Sequence, residues 1–418
     1  MLSQLRFATE LNTLLHTLSD TSDLLIIQDL DGVCMPLVRD PLTRALPRRY
    51  IEAAALMQPE FFVLTNGEHI GRRGVNTLVD QALQERQAQH QAYLPGLAAG
   101  GVQWQDAAGN VSHPGVTPEE LAFLAAVPEV MRKALSDWMR RPPLALSSEA
   151  IESVLAVVIL DNPVSPTINI NGFHALLQQH ALGVSGLIEL QRTVQSILLE
   201  LLEQAEKQGL VDSFFIHYAP NLGTGPQGER IKWATDADSG TTDFQFMLQG
   251  AVKEVGVLVI LNRYYQQRTG TYPLGECFNA RQAPRDPQAL LQLAQDHFDP
   301  DQMPRIIGVG DTVTSQPDPQ HNGHWLRGGS DRGFLSLVQA LGTRFHRDNA
   351  VLFVDSSGGE LKRPSIQVPL LQQQPWQAMA GISDQDDPLH LNVVFPDGHQ
   401  QYVDFYCRLA QARHARRG

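Results

Sequence analysis

Two carboxylates follow an apolar run of strand length near the start of the chain. Residues 24–27 are Leu-Leu-Ile-Ile, and after Gln28 come Asp29 and Asp31 with one residue between them. A continuous apolar run predicts a buried strand of a parallel sheet, whose ligands bind beyond the carboxyl ends of the strands. Side chains two residues apart on an extended chain point the same way, about 6–7 Å from each other. Carboxylates that close repel and favour a cation between them, so the pair predicts a metal and phosphate site.

This stretch has two other readings. Asp31 and Gly32 form a dipeptide that is common in tight turns, so they can also be the turn of a hairpin. A calcium loop beginning at Asp29 needs an oxygen ligand at its fifth position and glycine at its sixth, where this chain has Val33 and Cys34. The calcium loop is therefore excluded, whereas the turn remains open.

Three more segments place phosphate-binding or metal-binding groups at the ends of predicted elements. Thr65 follows the apolar run 61–64 and precedes Asn66-Gly67, and Asp311 follows the run 306–310. Lys253 begins an apolar helical segment, where the helix dipole does not favour a cation but a phosphate would explain one. Each has an alternative when it is considered alone: Asn66-Gly67 can be a simple turn, and Lys253 can be a solvated surface lysine. The glycines at 308 and 310 do not form a dinucleotide loop, because the remainder of that motif is absent.

The elements that must position these groups alternate between strands and helices. Predicted strands at 24–28, 61–64, 306–310 and 351–354 are interspersed with helices at 47–57, 253–267 and 332–342, which predicts βαβ units and a parallel sheet. The middle of the chain differs: strands at 154–160 and 214–216 accompany a leucine-striped helix at 186–207, which indicates a separate α+β module. The last 50 residues predict a hairpin, with strands at 389–395 and 401–405 around the turn 396–398.

Composition limits the class of protein. The chain has 418 residues, of which 43% are hydrophobic and 18% charged, and this length predicts two or three globular domains. A net charge of −13 argues against nucleic acid as a partner. No apolar run is long enough to span a membrane and no signal peptide is visible, so we expect no membrane partner. The three cysteines are scattered along the chain, which is typical of a cytoplasmic protein.

Together, the strand-end groups resemble the four motifs of the haloacid dehalogenase superfamily. Asp29-x-Asp31 is similar to the first motif, Thr65 to the second, Lys253 to the third and Asp311 to the fourth. The resemblance implies a Rossmann-like three-layer α/β core with a parallel sheet, plus an inserted α+β cap domain. We therefore predict a discontinuous catalytic core at 1–74 and 249–365, a substrate-selecting cap at 75–248, and a carboxy-terminal extension at 366–418 with a hairpin and a helix packed on the core.

The resemblance also implies roles for these residues. Asp29 is the expected nucleophile, Asp31 the acid and base, and Thr65 and Lys253 the groups that stabilise the transferring phosphate. Mg²⁺ is the expected cofactor, held by Asp29, Asp31 (through its backbone carbonyl) and Asp311. The superfamily usually has a second acid shortly after the fourth motif, and Ser315 and Gln316 stand there instead. Asp318 and Asp331 are the alternatives, and we prefer Asp331 because a helix begins there, although it can also be a helix cap.

A narrower resemblance extends over nearly the whole chain, to a family of phosphatases that complete the synthesis of the osmolyte glucosylglycerol. It is carried by QDLDGVCM (28–35), VLTNGEHIGRRGV (63–75), YLPGLAAGGVQWQD (93–106), FFIHYAPNLG (214–223), SGTTDFQFML (239–248) and IIGVGDTVTSQ (306–316). It implies a phosphorylated glucosyl-glycerol, the 3-phosphate, as substrate, a role in salt stress, and the upstream synthase as a partner. Candidates for substrate contact are Asn66, Gly67, Glu68, His69, His217 and Asp243. The alternatives are a phosphatase of sucrose phosphate or another sugar phosphate, and a binding module without activity.

Overall fold

The computed structural model describes residues 1–83, 92–226 and 228–417. Its helices are α1 Leu11–Ser19, α2 Arg48–Leu56, α3 Val75–Leu83, α4 Pro118–Met139, α5 Ser148–Val158, α6 His174–Gln179, α7 Gly183–Lys207, α8 Lys253–Thr269, α9 Pro287–His297, α10 Arg332–Arg344, α11 Pro375–Ala378 and α12 His399–Arg417. Its strands are β1 Leu24–Gln28, β2 Phe61–Leu64, β3 Gly96–Ala98, β4 Gln103–Gln105, β5 Val111–Ser112, β6 Ile159–Leu160, β7 Thr167–Asn169, β8 Phe214–Ala219, β9 Asn221–Gly225, β10 Gly228–Ile231, β11 Asp243–Leu248, β12 Arg305–Gly310, β13 Thr314–Pro317, β14 Trp325–Gly328, β15 Ala350–Val354 and β16 Val393–Phe395.

A large sheet forms the centre of the molecule. Within the described ranges it has eight strands in the order β16-β15-β12-β1-β2-β3-β4-β5. The six from β16 to β3 are parallel, and β4 and β5 join antiparallel. The central strand β1 pairs with β12 on one side and β2 on the other, so that Ile27 lies opposite Gly308 and Phe62. The chain segments that follow these three strands therefore meet at one edge of the sheet.

Helices cover both faces of this sheet. Leu25 and Ile27 belong to one hydrophobic core with residues of α8 and α10, whereas Leu24 and Ile26 belong to a second core with residues of α2 and α12. Because both faces are buried, every residue of β1 is buried, and its sequence is apolar up to Gln28. The predicted fold class, a three-layer α/β core with a mostly parallel sheet, is confirmed.

A smaller sheet is built from the middle of the chain. It has the order β6-β7-β11-β8 and all of its pairings are antiparallel. One of its faces is apolar: Ile168, Phe244 and Phe246 pack in the same core as the leucine stripe of α7. The helix predicted at 186–207 is thus confirmed as part of α7, with its stripe used for core packing.

The first part of the predicted cap range continues the large sheet. Strands β3, β4 and β5 fall inside the predicted cap range 75–248, yet they extend the large sheet beyond β2. Helix α3, which begins at Val75, packs in the same core as α2. We therefore propose that residues 75–112 belong to the core, and that the inserted module runs from α4 to β11.

Two local predictions were wrong. Residues 154–160, predicted as a strand from their β-branched apolar run, mostly belong to α5, whose start is capped by the Ser147 side chain. The predicted carboxy-terminal hairpin is absent, because 399–417 form a helix and β16 pairs in parallel with β15. Gly398 has a positive φ of 76° and immediately precedes this helix. The predicted turn at 396–398 is therefore present, but a helix follows it instead of a strand. None of the helices in the described parts of the chain combines the length and apolar character needed to cross a lipid bilayer.

Candidate active site

Three buried carboxylates lie together at the carboxyl edge of the large sheet. Asp29 follows β1, Asp311 follows β12, and Asp331 immediately precedes α10. One oxygen of each lies within 4.8 Å of the others. The hairpin β13–β14 occupies the chain between Asp311 and Asp331 and returns it to the sheet, where Oδ2 of Asp331 accepts hydrogen bonds from the backbone amides of Asp311 and Thr312, both at 2.9 Å. The side chain of Asp331 makes no helix-capping bond. The structure thus brings Asp331 into the cluster, whereas Asp318 binds His321 beyond β13.

Lys253 is buried within this cluster. It is the first residue of α8, and its Nζ lies 2.7 Å from Oδ2 of Asp29 and 2.7 Å from Oδ1 of Asp331. Its side chain is only 2% exposed, which excludes the reading of a solvated surface lysine. Burial lowers the pKa of Lys253, but the two carboxylates outweigh this and raise its pKa well above the ordinary value. The amine is therefore held as an ammonium.

The charges of the cluster do not balance. Burial raises the pKa of Asp29 to about 7, although Lys253 opposes the shift, and burial with the neighbouring Asp331 and Asp29 raises the pKa of Asp311 strongly. Among the described residues, Oδ2 of Asp311 is buried without a hydrogen-bond partner. Three carboxylates share one ammonium group, and hard oxygen ligands with an unpaired buried oxygen are the donors that Mg²⁺ prefers. The residues present therefore fit a divalent cation.

Two glycines allow this close packing of carboxylates. Gly32 has a φ of +79°, and a Cβ placed there would lie 2.2 Å from Oδ2 of Asp311. A Cβ on Gly310 would lie 2.6 Å from Oδ2 of Asp331. Real Cβ contacts are never that short, so any larger residue at either position would displace a carboxylate. The Asp31-Gly32 dipeptide is thus required by the site as well as by its turn.

Asp31 is more exposed than the cluster and is paired with an arginine that the sequence did not indicate. Nη1 of Arg44 lies 2.9 Å from Oδ2 of Asp31, and the side chains are 10% and 31% exposed. Arg44 also donates to the backbone carbonyls of Pro41 and Arg73. These contacts fix the guanidinium beside Asp31. Arg44 lies in a proline-containing loop without a motif, and only tertiary folding brings it to the site.

The carboxylates open into a cavity between the large and small sheets. The cavity has a volume of about 150 Å³ and opens to solvent. One side of its lining is the carboxyl edge of the large sheet, and the other side comes from the small sheet. The polar lining residues are Asp29, Asp31, Arg44, Thr65, Asn66, Glu68, Arg73, Asn162, Asn169, Asn171, Asp243, Gln245, Asp311, Thr312, Ser330 and Arg363. A phosphate ester bound at Asp29 would therefore extend its other end toward the small sheet.

The segment after β2 has a double role. Thr65, Asn66 and Gly67 line the cavity. Glu68 also lines it, but its carboxylate accepts hydrogen bonds from Gln103 and from the amide of Val164 and the hydroxyl of Ser165 in the inserted module. Burial raises the pKa of Glu68 against these hydrogen bonds. Glu68 is thus placed to join the core to the inserted module.

Two of the predicted substrate contacts lie outside the cavity wall. His69 is fully buried, with its ring 3.3 Å from the carbonyl of Gly96, and burial lowers its pKa to about 4. The ring of His217 lies between Asn66 and Glu229, at 2.9 and 2.8 Å. Neither residue is among those that line the cavity, so their contact with substrate stays a prediction. Histidine in these motifs therefore serves the packing between segments.

Asp243 lies in the cavity wall, near Arg363, an arginine that no sequence motif indicated. Burial raises the pKa of Asp243 to about 6, Arg363 opposes the shift, and Asp31 adds to it. The side chain of Arg363 is 11% exposed and donates to the carbonyl of Gly240 and the hydroxyl of Thr242. Arg363 lies in the loop that follows β15, at the same edge of the sheet as Asp311, but no sequence motif marked it.

The central strand ends in an acid, two further segments add acids, and a helix-initial lysine lies among them. This arrangement resembles the active sites of phosphohydrolases of the haloacid dehalogenase type. A family model described as glucosylglycerol-phosphate phosphatase matches residues 23–410. A curated relative, the glucosylglycerol-phosphate phosphatase of Synechocystis sp. (strain ATCC 27184 / PCC 6803 / Kazusa), is 51% identical over 420 residues, which cover 99% of this chain and 98% of the relative. The chain belongs to the glucosylglycerol-phosphate phosphatase family, and it is a phosphoric monoester hydrolase.

Solved structures with a similar outline are more distant. The trehalose-6-phosphate phosphatase C-terminal domain of C. albicans has a TM-score of 0.47 at 10% identity and covers 97% of this chain and 99% of its own. A putative HAD/COF-like hydrolase from Plasmodium vivax has a TM-score of 0.39 at 11% identity and covers 95% of this chain and 98% of its own. At these values neither structure informs the site, so the assignment above stands on the family model and the curated relative.

Proposed function

We propose that the protein hydrolyses glucosylglycerol 3-phosphate to glucosylglycerol and phosphate, with Asp29 as the nucleophile. The observation that carries the proposal is the placement of Asp29 at the end of the central strand, 2.7 Å from the Lys253 ammonium and at the floor of the cavity. The family supports the substrate, because the curated relative that covers the whole chain is named for glucosylglycerol phosphate.

In the first step, a carboxylate oxygen of Asp29 attacks phosphorus and the bond from phosphorus to the ester oxygen breaks. Asp31, in its protonated form, gives its proton to the departing sugar-alcohol oxygen. Its partial exposure and its position on the cavity wall allow it to reach that oxygen. The products of this step are glucosylglycerol and an aspartyl phosphate on Asp29.

In the second step, water attacks the phosphorus of the aspartyl phosphate, and Asp31 accepts its proton. The bond between phosphorus and the Asp29 oxygen breaks, which releases phosphate and restores the enzyme. Lys253 and the hydroxyl of Thr65 stabilise the negative charge on the transferring oxygens in both steps. The backbone amide of Gly67 donates to the Thr65 hydroxyl at 3.2 Å and so orients it.

Asp29, Asp311 and Asp331, with the backbone carbonyl of Asp31, are the groups proposed to hold Mg²⁺. When bound, the cation offsets the negative charge of the cluster and so favours the ionised form of Asp29. The proposal is supported by the spacing of the three carboxylates and by the unpaired Oδ2 of Asp311.

The experiment is phosphate release from glucosylglycerol 3-phosphate and from a panel that includes sucrose phosphate, with wild type and Asp29→Asn in the presence of Mg²⁺. We expect the glucosylglycerol ester to give the highest kcat/KM and the variant to lose turnover. A higher kcat/KM on sucrose phosphate would assign the substrate to that alternative. Full activity of Asp29→Asn would refute the nucleophile, and a wild type without turnover of any ester would indicate the binding module.

We also propose a cytoplasmic location and a partner. The three cysteines Cys34, Cys277 and Cys407 are unpaired, which suits a reducing compartment. The proposed partner is the synthase that forms the phosphorylated glucosyl-glycerol, because its product is the substrate proposed here. Co-purification of the synthase with a tagged Asp29→Asn variant tests the partnership, and its failure at physiological salt would leave the two enzymes linked only by their shared metabolite.

A further inference from the structure

The side of the cavity opposite the catalytic carboxylates is the polar face of the small sheet. In the antiparallel pairing of β7 and β11, Asn169 lies opposite Asp243, and Gln245 is two residues further along β11. Side chains directly opposite or two apart share a face of a sheet. All three line the cavity, whereas the intervening Phe244 and the following Phe246 pack in the hydrophobic core. Strand alternation therefore presents a set of amides and carboxylates to the catalytic edge.

Three polar atoms of this wall are buried without a partner. Within the described residues, Oδ1 and Nδ2 of Asn171 and Oε1 of Gln245 make no hydrogen bond. Asn171 is 1% exposed and Gln245 6%, and both line the cavity. Buried side-chain polar atoms in folded proteins are nearly always hydrogen-bonded, because an unpaired one destabilises the fold. Unpaired atoms of two residues in one cavity wall indicate that their partner is a ligand.

The wall is held in place before any ligand arrives. The amide of Asn171 donates to Oδ1 of Asn169 at 2.9 Å, and Nδ2 of Asn169 donates to Oδ1 of Asp243 at 2.8 Å. These bonds fix the backbone of Asn171 and the carboxylate of Asp243 while leaving the carboxamide of Asn171 unused. Such preorganisation reduces the entropy lost on binding.

The donors and acceptors of the wall select a class of ligand. Asn171 and Gln245 each carry a carboxamide, which offers an acceptor oxygen and a donor amino group, and Asp243 adds acceptor oxygens. Hydroxyl groups donate and accept, and so can satisfy all of these atoms. A phosphate oxygen only accepts, and the carboxylate of Asp243 would repel it. The chemistry of the wall thus fits an uncharged polyhydroxyl group.

We propose that Asn171 and Gln245, together with Asp243, bind hydroxyl groups of the glycosyl part of the ester while its phosphate lies at Asp29. This inference rests on the proposed function and adds the residues that select the substrate. Because the wall and the carboxylates line one cavity, the phosphate end and the glycosyl end of a single ester contact the two sheets at once.

The test compares two substrates in two variants. Asn171→Leu and Gln245→Met keep the approximate volume of each side chain and remove its polar atoms. We expect each to lower kcat/KM for glucosylglycerol 3-phosphate about 10-fold, mainly through KM, as for the loss of one or two hydrogen bonds to a substrate. The rate on p-nitrophenyl phosphate, which has no hydroxyl groups on its leaving group, should stay within about 2-fold of wild type. Inhibition of that reaction by free glucosylglycerol should weaken in parallel.

Gln191→Met is the matched control. Gln191 is buried in the same module, but Nε2 donates to the carbonyl of Thr241 at 2.9 Å and Oε1 accepts from the amide of Ala234 at 3.1 Å. This variant should lower the thermal unfolding midpoint and leave the ratio of the two substrates unchanged. The cavity-wall variants should not lower the midpoint, because the unpaired polar atoms that they remove have no protein partner.

The outcomes distinguish failure of this inference from failure of the proposed function. Equal losses on both substrates in Asn171→Leu and Gln245→Met, or a fall in midpoint with an unchanged substrate ratio, would overturn the inference while leaving the proposed function intact. A wild type that hydrolyses p-nitrophenyl phosphate but not glucosylglycerol 3-phosphate would overturn the proposed function itself. Selective loss on the glucosylglycerol ester supports both.

Discussion

Nζ of Lys253 lies 2.7 Å from Oδ2 of Asp29, although 224 residues separate the two in the chain. The contact exists because the helix that Lys253 begins packs against the face of the sheet that carries Leu25 and Ile27. The same amine binds Asp331 at the start of α10. One positive charge therefore ties together the ends of three elements that come from distant parts of the sequence.

Lys253→Met should reduce kcat by about 10²–10³, the loss typical of removing one charge-stabilising group from a transition state. The reason is that the transferring phosphate oxygens lose their ammonium partner while the carboxylates remain. The measurement is the steady-state rate on an aryl phosphate at saturating Mg²⁺. Lys133→Met, at an exposed site on α4, is the control and should keep the wild-type rate. A fully active Lys253→Met would show that the amine has only a structural role.

Gly32→Ala should weaken Mg²⁺ dependence and activity together. Its Cβ would enter the space of Oδ2 of Asp311, and the backbone would be held at an unfavourable positive φ. We expect the Mg²⁺ concentration for half-maximal rate to rise by about 10-fold or more, since misplaced ligands typically cost that much in metal affinity. Gly270→Ala is the matched control: Gly270 also has a positive φ, of 78°, but nothing lies within 4 Å of its Cβ position. That variant should lose about 1 kcal/mol of stability and keep its Mg²⁺ dependence.

Asp331→Asn tests which acid completes the fourth motif. Asp331 lies within the carboxylate cluster and binds Lys253, whereas Asp318 accepts from the amide of Gln320. We expect Asp331→Asn to raise the Mg²⁺ requirement by about 10- to 100-fold, and Asp318→Asn to leave it unchanged. The reverse pattern would return the role to Asp318. Titration of Mg²⁺ binding by calorimetry gives a readout that does not depend on turnover.

His69→Gln should remove part of the acid sensitivity of folding. The pKa of His69 is about 4 in the folded protein, below the ordinary value of 6.5, because burial disfavours the charged ring. Between pH 6.5 and 4 the unfolded chain binds the extra proton, so the stability associated with the neutral histidine is lost as the pH falls through this window. The full effect is about 3 kcal/mol, from a shift of 2.5 pKa units.

The measurement for His69 is the difference in free energy of unfolding between wild type and variant at pH 7 and pH 4.5. A difference is required because the raised pKa of Asp243 acts in the opposite sense over an overlapping range. A difference that does not change with pH would contradict the prediction. The variant should also retain its KM, since His69 does not line the cavity.

Much of the site could be predicted from the sequence because several of its polar residues directly follow buried strands. Asp29, Thr65 and Asp311 each follow a short apolar run, and such runs can be recognised as buried strands without knowledge of the fold. Lys253 could be recognised because the helix dipole does not favour a cation at the start of a helix. Asp331 was less certain, since the hairpin β13–β14 separates it from its motif.

The rest of the site depended on long-range packing. Arg44 and Arg363 reach the cavity from loops, and their spacing from other residues carries no periodic signal. Asn171 looked like any polar residue in a turn, and only its burial without partners distinguishes it. The β-branched run at 154–158 was assigned to the wrong element because short apolar runs suit both a strand and a buried helix. Its capping residue, Ser147, was the available local signal.

The segment after β2 links chemistry to access. Thr65 belongs to the catalytic edge, and one residue later Asn66 bonds His217 of the small sheet, while Glu68 bonds the backbone of Val164. Asn66 and Glu68 therefore tie the inserted module to the segment whose Gly67 amide orients the Thr65 hydroxyl. Through these two residues, a displacement of the inserted module would be transmitted to the segment of Thr65, and a displacement of that segment to the module.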